Sequence, residues 1–201
     1  DVERSRGLGD VYKRQIRKAP ASMSDLSPAT PFSASTASIR PLGHAGRAVL
    51  RCPATMIDTV AERLGVALPI EACRSAEAAG LSALWLGPDE WLLLAPDAAD
   101  DWVASLQARL GDVLCSLVDV SHRQVALEVK DGAVDAKTLL ASGCALDLSL
   151  RGFPVGMCTR TMYDKAEIVL WRRAPDRFHV EVWRSFARYV EGLLRIAEAE
   201  V

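Results

Sequence analysis

The chain lacks the spacings by which cysteines usually declare a job. Its 5 cysteines (Cys52, Cys73, Cys115, Cys144, Cys158) are odd in number, widely separated and mostly flanked by apolar residues. Zinc spacing and a disulfide framework both fail on that count, and buried reduced thiols are the reading that remains. No P-loop and no dinucleotide G-x-G-x-x-G occurs, so the chain should not hold a nucleotide by itself. There is no G-x-S-x-G nucleophile elbow. No apolar run approaches the roughly 18 residues that span a bilayer. Met23 opens no signal peptide. These absences point to the cytoplasm.

What is present at the start needs sorting first. Asp10-Val-Tyr-Lys-Arg-Gln15 is the translation of a transposon-derived sequencing adaptor, so residues 1–22 read as an adaptor-derived leader and Met23 as the native start. The competing reading is a basic arm for nucleic acid, with Arg4, Arg6, Lys13, Arg14, Arg17 and Lys18. Without residues 1–22 the chain carries 18 basic against 23 acidic residues, and net charge moves from −2 to −5. Such a surface has no electrostatic claim on nucleic acid or an anionic membrane. Ser24–Ser38 is rich in Ser, Ala, Pro and Thr, and residues 23–46 read as a flexible N-terminal segment.

Strands and helices alternate from Arg47 onward. Ala48–Cys52 reads as a strand, followed by a helix capped by Thr55 and ended by Gly65. Ala83–Leu86 and Trp91–Ala95 form a hairpin across Gly87-Pro-Asp-Glu90. A helix opens at Asp97 and closes at Gly111, and strands follow at Val113–Val120 and Gln124–Val129. About ten helical residues are expected between Asp131 and Gly143. Then come a strand Cys158–Tyr163, a hairpin Glu167–Trp171 to Phe178–Trp183, and a helix from Ser185. Its stripe would be Phe186, Tyr189, Val190, Leu193, Leu194 and Ala197.

The two halves resemble each other. Leu84-Trp85 matches Leu170-Trp171 at an offset of 86, while Pro88, Trp91 and Trp102 match Pro175, Phe178 and Tyr189 at 87. One inserted turn residue would reconcile the two offsets. The unit is strand–helix–hairpin–helix, repeated over residues 47–112 and 113–201. Two copies predict an α+β fold: antiparallel sheets, each covered on one face by helices, packed into one compact domain.

Within Cys115–Val129, the run Asp119-Val-Ser-His-Arg123 places four polar side chains in an otherwise apolar stretch. Such groups belong to a satisfied turn or to a site. They cannot form a hydrolase triad as neighbours, because side chains alternate along an extended chain and His122 points away from Ser121. His44 and His179 show no metal-ligand spacing, and His179 shares a strand face with Glu181 and Trp183. The tryptophans mostly occupy core-facing positions. Trp171 and Trp183, with Arg172, Arg173 and Arg184 nearby, suit an interface as well as a core.

Val118-Asp-Val-Ser-His-Arg-Gln-Val-Ala-Leu-Glu-Val129 resembles the opening of the folate-binding aminomethyltransferase fold of the glycine-cleavage T-protein. The stretch from Ser82 to Ala197 is similar to the gamma-subunit family of heterotetrameric sarcosine oxidases. Trp85-Leu-Gly-Pro-Asp-Glu-Trp-Leu-Leu-Leu94, Asp119–Gln124, Phe153–Thr161, Lys165–Trp171 and Phe178–Phe186 carry the likeness. It implies an enzyme that oxidises sarcosine to glycine, yields peroxide, and passes the one-carbon unit to tetrahydrofolate. FAD, FMN, NAD and tetrahydrofolate would sit in other subunits, and this chain would pack on the alpha subunit, with beta and delta completing the complex.

The T-protein pattern also carries a glycine-rich turn followed by paired acids. Here Asp164-Lys-Ala-Glu-Ile-Val169 has neither, leaving Glu167 as a poor substitute. The expectation is therefore a structural, non-catalytic subunit. Its structural or interface candidates are Asp119, Ser121, His122, Arg123, Arg160, Glu167, Trp171, Trp183 and Arg184. Asp119 should accept backbone N–H groups at the strand junction, and Arg123 should pair with a carboxylate. A self-sufficient folate-dependent transferase and a free-standing folate-sensing or iron–sulfur-assembly relative are the alternatives.

Overall fold

A computed structural model describes residues 38–96 and 98–201. The expectations for residues 1–22, for most of Ser24–Ser38 and for Asp97 lie outside the described residues. In chain order the elements are β1 (Ile39–Pro41), β2 (Gly46–Arg51), α1 (Ile57–Leu64), β3 (Ser75–Ala78), β4 (Leu81–Gly87), β5 (Glu90–Ala95) and α2 (Trp102–Leu110). The second half continues with β6 (Ser116–Asp119), β7 (Gln124–Lys130), α3 (Ala136–Ala141), β8 (Cys158–Tyr163), β9 (Ala166–Ala174), β10 (Arg177–Trp183) and α4 (Ala187–Glu200). They build two five-stranded antiparallel sheets, ordered β3-β4-β5-β2-β6 and β1-β7-β10-β9-β8.

The α+β class and the two antiparallel sheets agree with the expectation, and period-two alternation explains the layers. On β5, Trp91 and Leu93 join the core beneath α1 and α2, while Leu92 and Leu94 face the other sheet. On β10, Phe178, Val180 and Val182 pack under α3 and α4. The remaining inner faces meet around Leu84, Leu92, Leu94, Val120, Cys158, Val169 and Trp171. The order is helices, sheet, sheet, helices. Burying a side chain such as Trp91 or Leu127 contributes about 1.5–3 kcal/mol, and neither sheet can bury its inner face alone.

The repeat is real, but the expected unit omits two strands and misjudges one register. The first edge strand of each half is exchanged: β1 pairs with β7 of the second half, and β6 pairs with β2 of the first. Residues 39–41, inside the segment expected to be flexible, are thus an edge strand. The edges β3 and β8 meet through an antiparallel bridge between Arg74 and Met157. Around it the hydrogen bonds come in matched pairs. Ser75 donates to Gly156 O (3.0 Å) and Cys158 to Cys73 O (2.9 Å), while Trp85 donates to Arg74 O (3.0 Å) and Arg172 to Met157 O (2.9 Å). Cys73 and Gly156 both take positive φ, 62° and 84°. A pseudo-twofold axis relates the halves there.

The pairings also correct the hairpin alignment. Trp85 lies opposite Trp91 as Arg172 lies opposite Phe178, with a bulge following in both. The offset is therefore 87 throughout, and no turn residue is inserted. The match of Leu84-Trp85 to Leu170-Trp171 is out of register by one. A slip of one residue exchanges faces, so Trp85 packs toward the helices while Trp171 faces the opposite sheet.

Several boundaries move. Thr55 lies inside a 3-10 turn (Ala54–Met56) and makes no side-chain cap, although Gly65 ends α1 at φ 76° as expected. The strand expected at Val113–Val120 shortens to Ser116–Asp119. The ten-residue helix is only six residues long, because Asp131 Oδ1 accepts the Ala136 N–H (2.8 Å) across an irregular lead-in. In α4 the buried face is Ala187, Val190, Glu191 and Leu194. Phe186 and Tyr189 are exposed instead, rotated off the core face by the 3-10 turn Arg184–Phe186.

Candidate functional site

The space between the sheets holds a deeply buried ion cluster. Arg47 enters from β2, and His179 and Glu181 enter from β10 on the inward side of the alternation. Arg47 Nε donates to Glu181 Oε2 (2.6 Å), and the arginine also donates to Ala45 O (2.9 Å). His179 Nε2 lies 2.7 Å from Glu181 Oε1. Arg47 is 2 % exposed and Glu181 1 %. Burial works against the Glu181 charge, but His179 and Arg47 outweigh it and hold the carboxyl below the usual range. A carboxylate so held only accepts, so His179 Nε2 carries the hydrogen.

A cavity of about 370 Å³ opens beside this cluster. The loop Leu42–Ala45 covers it, Ser82 and Leu94 line one wall, and Glu128, Trp171, Arg173 and Arg177 line the other. Both lining carboxylates are engaged. Glu181 is held as described, and Glu128 meets Arg40 (3.1 Å) and Arg177 (3.8 Å). Arg173 lies over the Trp171 ring (4.4 Å) and reaches Glu77 (2.8 Å). No group of three or more possible metal-holding side chains occurs among the described residues. This lining is a set of closed ion pairs rather than a nucleophile beside an idle base.

The Asp119–Arg123 turn buttresses the cluster from behind. Asp119 Oδ1 accepts the Ser121 N–H (2.8 Å). Burial opposes the Asp119 charge, but the two Ser121 hydrogen bonds, with His122 and His44 nearby, keep its carboxyl below the ordinary value. Ser121 Oγ is buried, accepts the Arg47 N–H (3.0 Å) and lies 3.4 Å from Trp102 Nε1. His122 points outward, its ring 6.0 Å from that of His44. The turn thus fixes the backbone of the residue whose side chain neutralises Glu181.

The other expected residues scatter. Among the described residues Arg123 pairs with no carboxylate. Its guanidinium lies 5.3 Å from the Trp183 ring, because Gln124, the next residue and the first of β7, pairs with Trp183 at the end of β10. Trp183 is 41 % exposed, and Arg184 is exposed and donates its N–H to Arg123 O (3.0 Å). Arg160 bridges the halves, meeting Glu90 at 2.6 Å and Glu167 at 3.9 Å. Glu167 is therefore a half-exposed surface partner and does not line the cavity. Trp171 does line it, and its indole donates to Ser75 Oγ (2.9 Å). Arg47 and Glu181 were absent from the candidates. A glutamate at an inward position of an apolar strand was the available signal, but its partner is 134 residues away.

Comparison with known proteins adds to this geometry. Residues 50–200 match the family described as sarcosine oxidase, gamma subunit family. The chain is 29% identical over 193 residues to a sarcosine oxidase subunit gamma of Corynebacterium sp. (strain P-1), covering 94% of both chains. It is 33% identical over 139 residues to one of an Arthrobacter species, covering 69% of this chain and 62% of that one. Among solved structures it resembles a chain of the heterotetrameric sarcosine oxidase from Corynebacterium sp. U-96 in complex with pyrrole 2-carboxylate. There the TM-score is 0.73 at 28% identity, over 81% of this chain and 83% of that one. It also resembles the glycine cleavage system aminomethyltransferase T from Bartonella henselae, at TM-score 0.57 and 16% identity, over 78% of this chain but 44% of that one. The last likeness is one of fold.

Proposed function

The chain belongs to the sarcosine oxidase gamma-subunit family, and from that premise we propose that it is the structural gamma subunit of a heterotetrameric, cytoplasmic bacterial sarcosine oxidase. The match over 94% of both chains to a gamma subunit carries this reading. The complex would oxidise sarcosine to glycine with release of hydrogen peroxide and transfer of the one-carbon unit to tetrahydrofolate. Its partners would be the alpha subunit, on which this chain packs, and the beta and delta subunits. FAD, FMN, NAD and tetrahydrofolate would be held by those other subunits.

The non-catalytic role rests on the inner cavity. A folate-orienting carboxylate must be able to hydrogen-bond its ligand, yet Glu181 and Glu128 are both committed to cations of this chain. These residues do not fit tetrahydrofolate. No helix among the described residues is long and apolar enough to cross a membrane.

Two measurements test the reading. Tagged chain expressed with its neighbouring genes should co-purify with a large flavin-containing chain; recovery of the chain alone would overturn the assignment. Titration of the isolated chain with tetrahydrofolate should show no micromolar binding, and such binding would overturn the non-catalytic role.

A further inference from the structure

The exchanged edge strand β6 carries a chemical feature that the subunit reading leaves unused. β2 and β6 are antiparallel, with Ala48 opposite Asp119 and Arg51 opposite Ser116. One further step in that register sets Cys52 opposite Cys115. Hydrogen-bonded and non-hydrogen-bonded pairs alternate along such a ladder. Val120 donates to Arg47 O (2.8 Å), so Arg47 and Val120 are a hydrogen-bonded pair and Cys52 and Cys115 are not. Independently, Cys52 gives its N–H to Asp89 O on the opposite flank (3.2 Å). In non-hydrogen-bonded pairs Cα atoms lie about 4.5 Å apart with side chains close, inside the range that a disulfide spans.

Both side chains also leave on the same face. Cys52 belongs to the buried core beneath α1 and α2, and Cys115 packs against that same core. Each is a free thiol. Burial pushes both thiols up, and for Cys52 the nearby Cys115 adds to the rise.

We propose that Cys52 and Cys115 are an oxidative modification site: a dithiol that hydrogen peroxide converts to a cross-strand disulfide, locking the exchanged strand β6 to β2. The more accessible Cys115 thiolate attacks one peroxide oxygen, the O–O bond breaks, and hydroxide leaves as water after protonation. The resulting sulfenic acid is attacked by the Cys52 sulfur. The S–O bond breaks, the Cys52 proton leaves with the hydroxyl as a second water, and the S–S bond forms. Two thiols lose two electrons and one peroxide gains them. Because burial keeps both thiols protonated, the reaction is slow and belongs to prolonged peroxide exposure. The proposal rests on the sarcosine oxidase reading only for the source of that peroxide.

Trypsin separates all five cysteines, placing Cys52 in peptide 52–63 and Cys115 in peptide 110–123. The purified complex is treated with hydrogen peroxide, alkylated, digested without reductant and analysed by mass spectrometry. A linked 52–63/110–123 species should grow as both alkylated peptides fall in step, and dithiothreitol should abolish it. The melting temperature should rise by about 5 °C or more in the wild type and not in Cys115→Ser. Separate sulfinic acids on the two cysteines, links to Cys73, Cys144 or Cys158, or two unchanged thiols would overturn the proposal. A second arm replaces added peroxide with sarcosine and oxygen, with and without catalase. A link formed by added peroxide but not by turnover would leave the pair standing and count against the functional reading.

Discussion

The two repeats share a scaffold strand for strand, yet their inward faces have opposite chemistry. At the offset of 87, Leu92 and Leu94 of the first half correspond to His179 and Glu181 of the second. Through the ladder partners, Arg47 corresponds to Ala126 and Val49 to Glu128. One half therefore offers leucines and a single buried arginine, and the other offers acids with an alanine that leaves room. Two identical halves would set like charges against each other across the axis. The diverged halves instead make a cross-half ion pair, reinforced by exchanged edge strands. The difference teaches that the duplication has become a matched pair, each half specific for the other.

The sharpest way to break that match is at its single cation. Arg47→Met strands the Glu181 charge in the interior and should cost about 3–5 kcal/mol of unfolding free energy in urea. The double variant Arg47→Met with Glu181→Leu makes the second face resemble the first and should regain most of the loss. Equal losses in the single and double variants would mean that the pair does not couple the halves.

Acid probes the same contrast. Glu181 has a depressed folded pKa, so its contribution is fully present above the unfolded value near 4.5 and fades as pH falls through the folded one. Between pH 7 and pH 3, wild-type protein should lose stability more steeply than the double variant. Parallel curves would refute that sign.

Ser121→Ala removes the buried hydroxyl behind Arg47 and should cost about 1–3 kcal/mol by leaving the Arg47 N–H unsatisfied. The first half has Gly43 at the related place, so the reverse change, Gly43→Ser, should bring no comparable gain in thermal stability. Asp119→Ala loses its hydrogen bonds from Ser121 at a half-wet turn, about 1 kcal/mol in all, with assembly retained. Loss of activity in a fully assembled Asp119→Ala complex would instead mark that turn as chemical. Smallest of all, Arg123→Ala should cost under about 1 kcal/mol and shift Trp183 fluorescence. An unchanged emission spectrum would place Arg123 away from that ring in solution.

Much of the fold was legible because apolar alternation and turn residues are local signals. Cys158–Tyr163 came out residue for residue, and Gly65 and the Pro88 and Pro175 turns marked true boundaries. The Leu-Trp dipeptides misled for an instructive reason. Identity of two residues outweighed the pairing register, yet register decides which face a tryptophan takes. The polar turn drew attention through its contrast with apolar neighbours. What it supports, Arg47, looked like an ordinary strand-leading arginine, because its partner enters from another sheet.

By itself the sequence determined the duplication, the α+β class and the family resemblance, since all of these live in periodicity and in motifs read along the chain. Only the tertiary structure decided the exchange of β1 and β6, the pairing of Arg47 with Glu181 and the juxtaposition of Cys52 with Cys115. Those depend on which strand lies beside which, and contacts between distant segments are set by the burial of whole faces rather than by any local pattern.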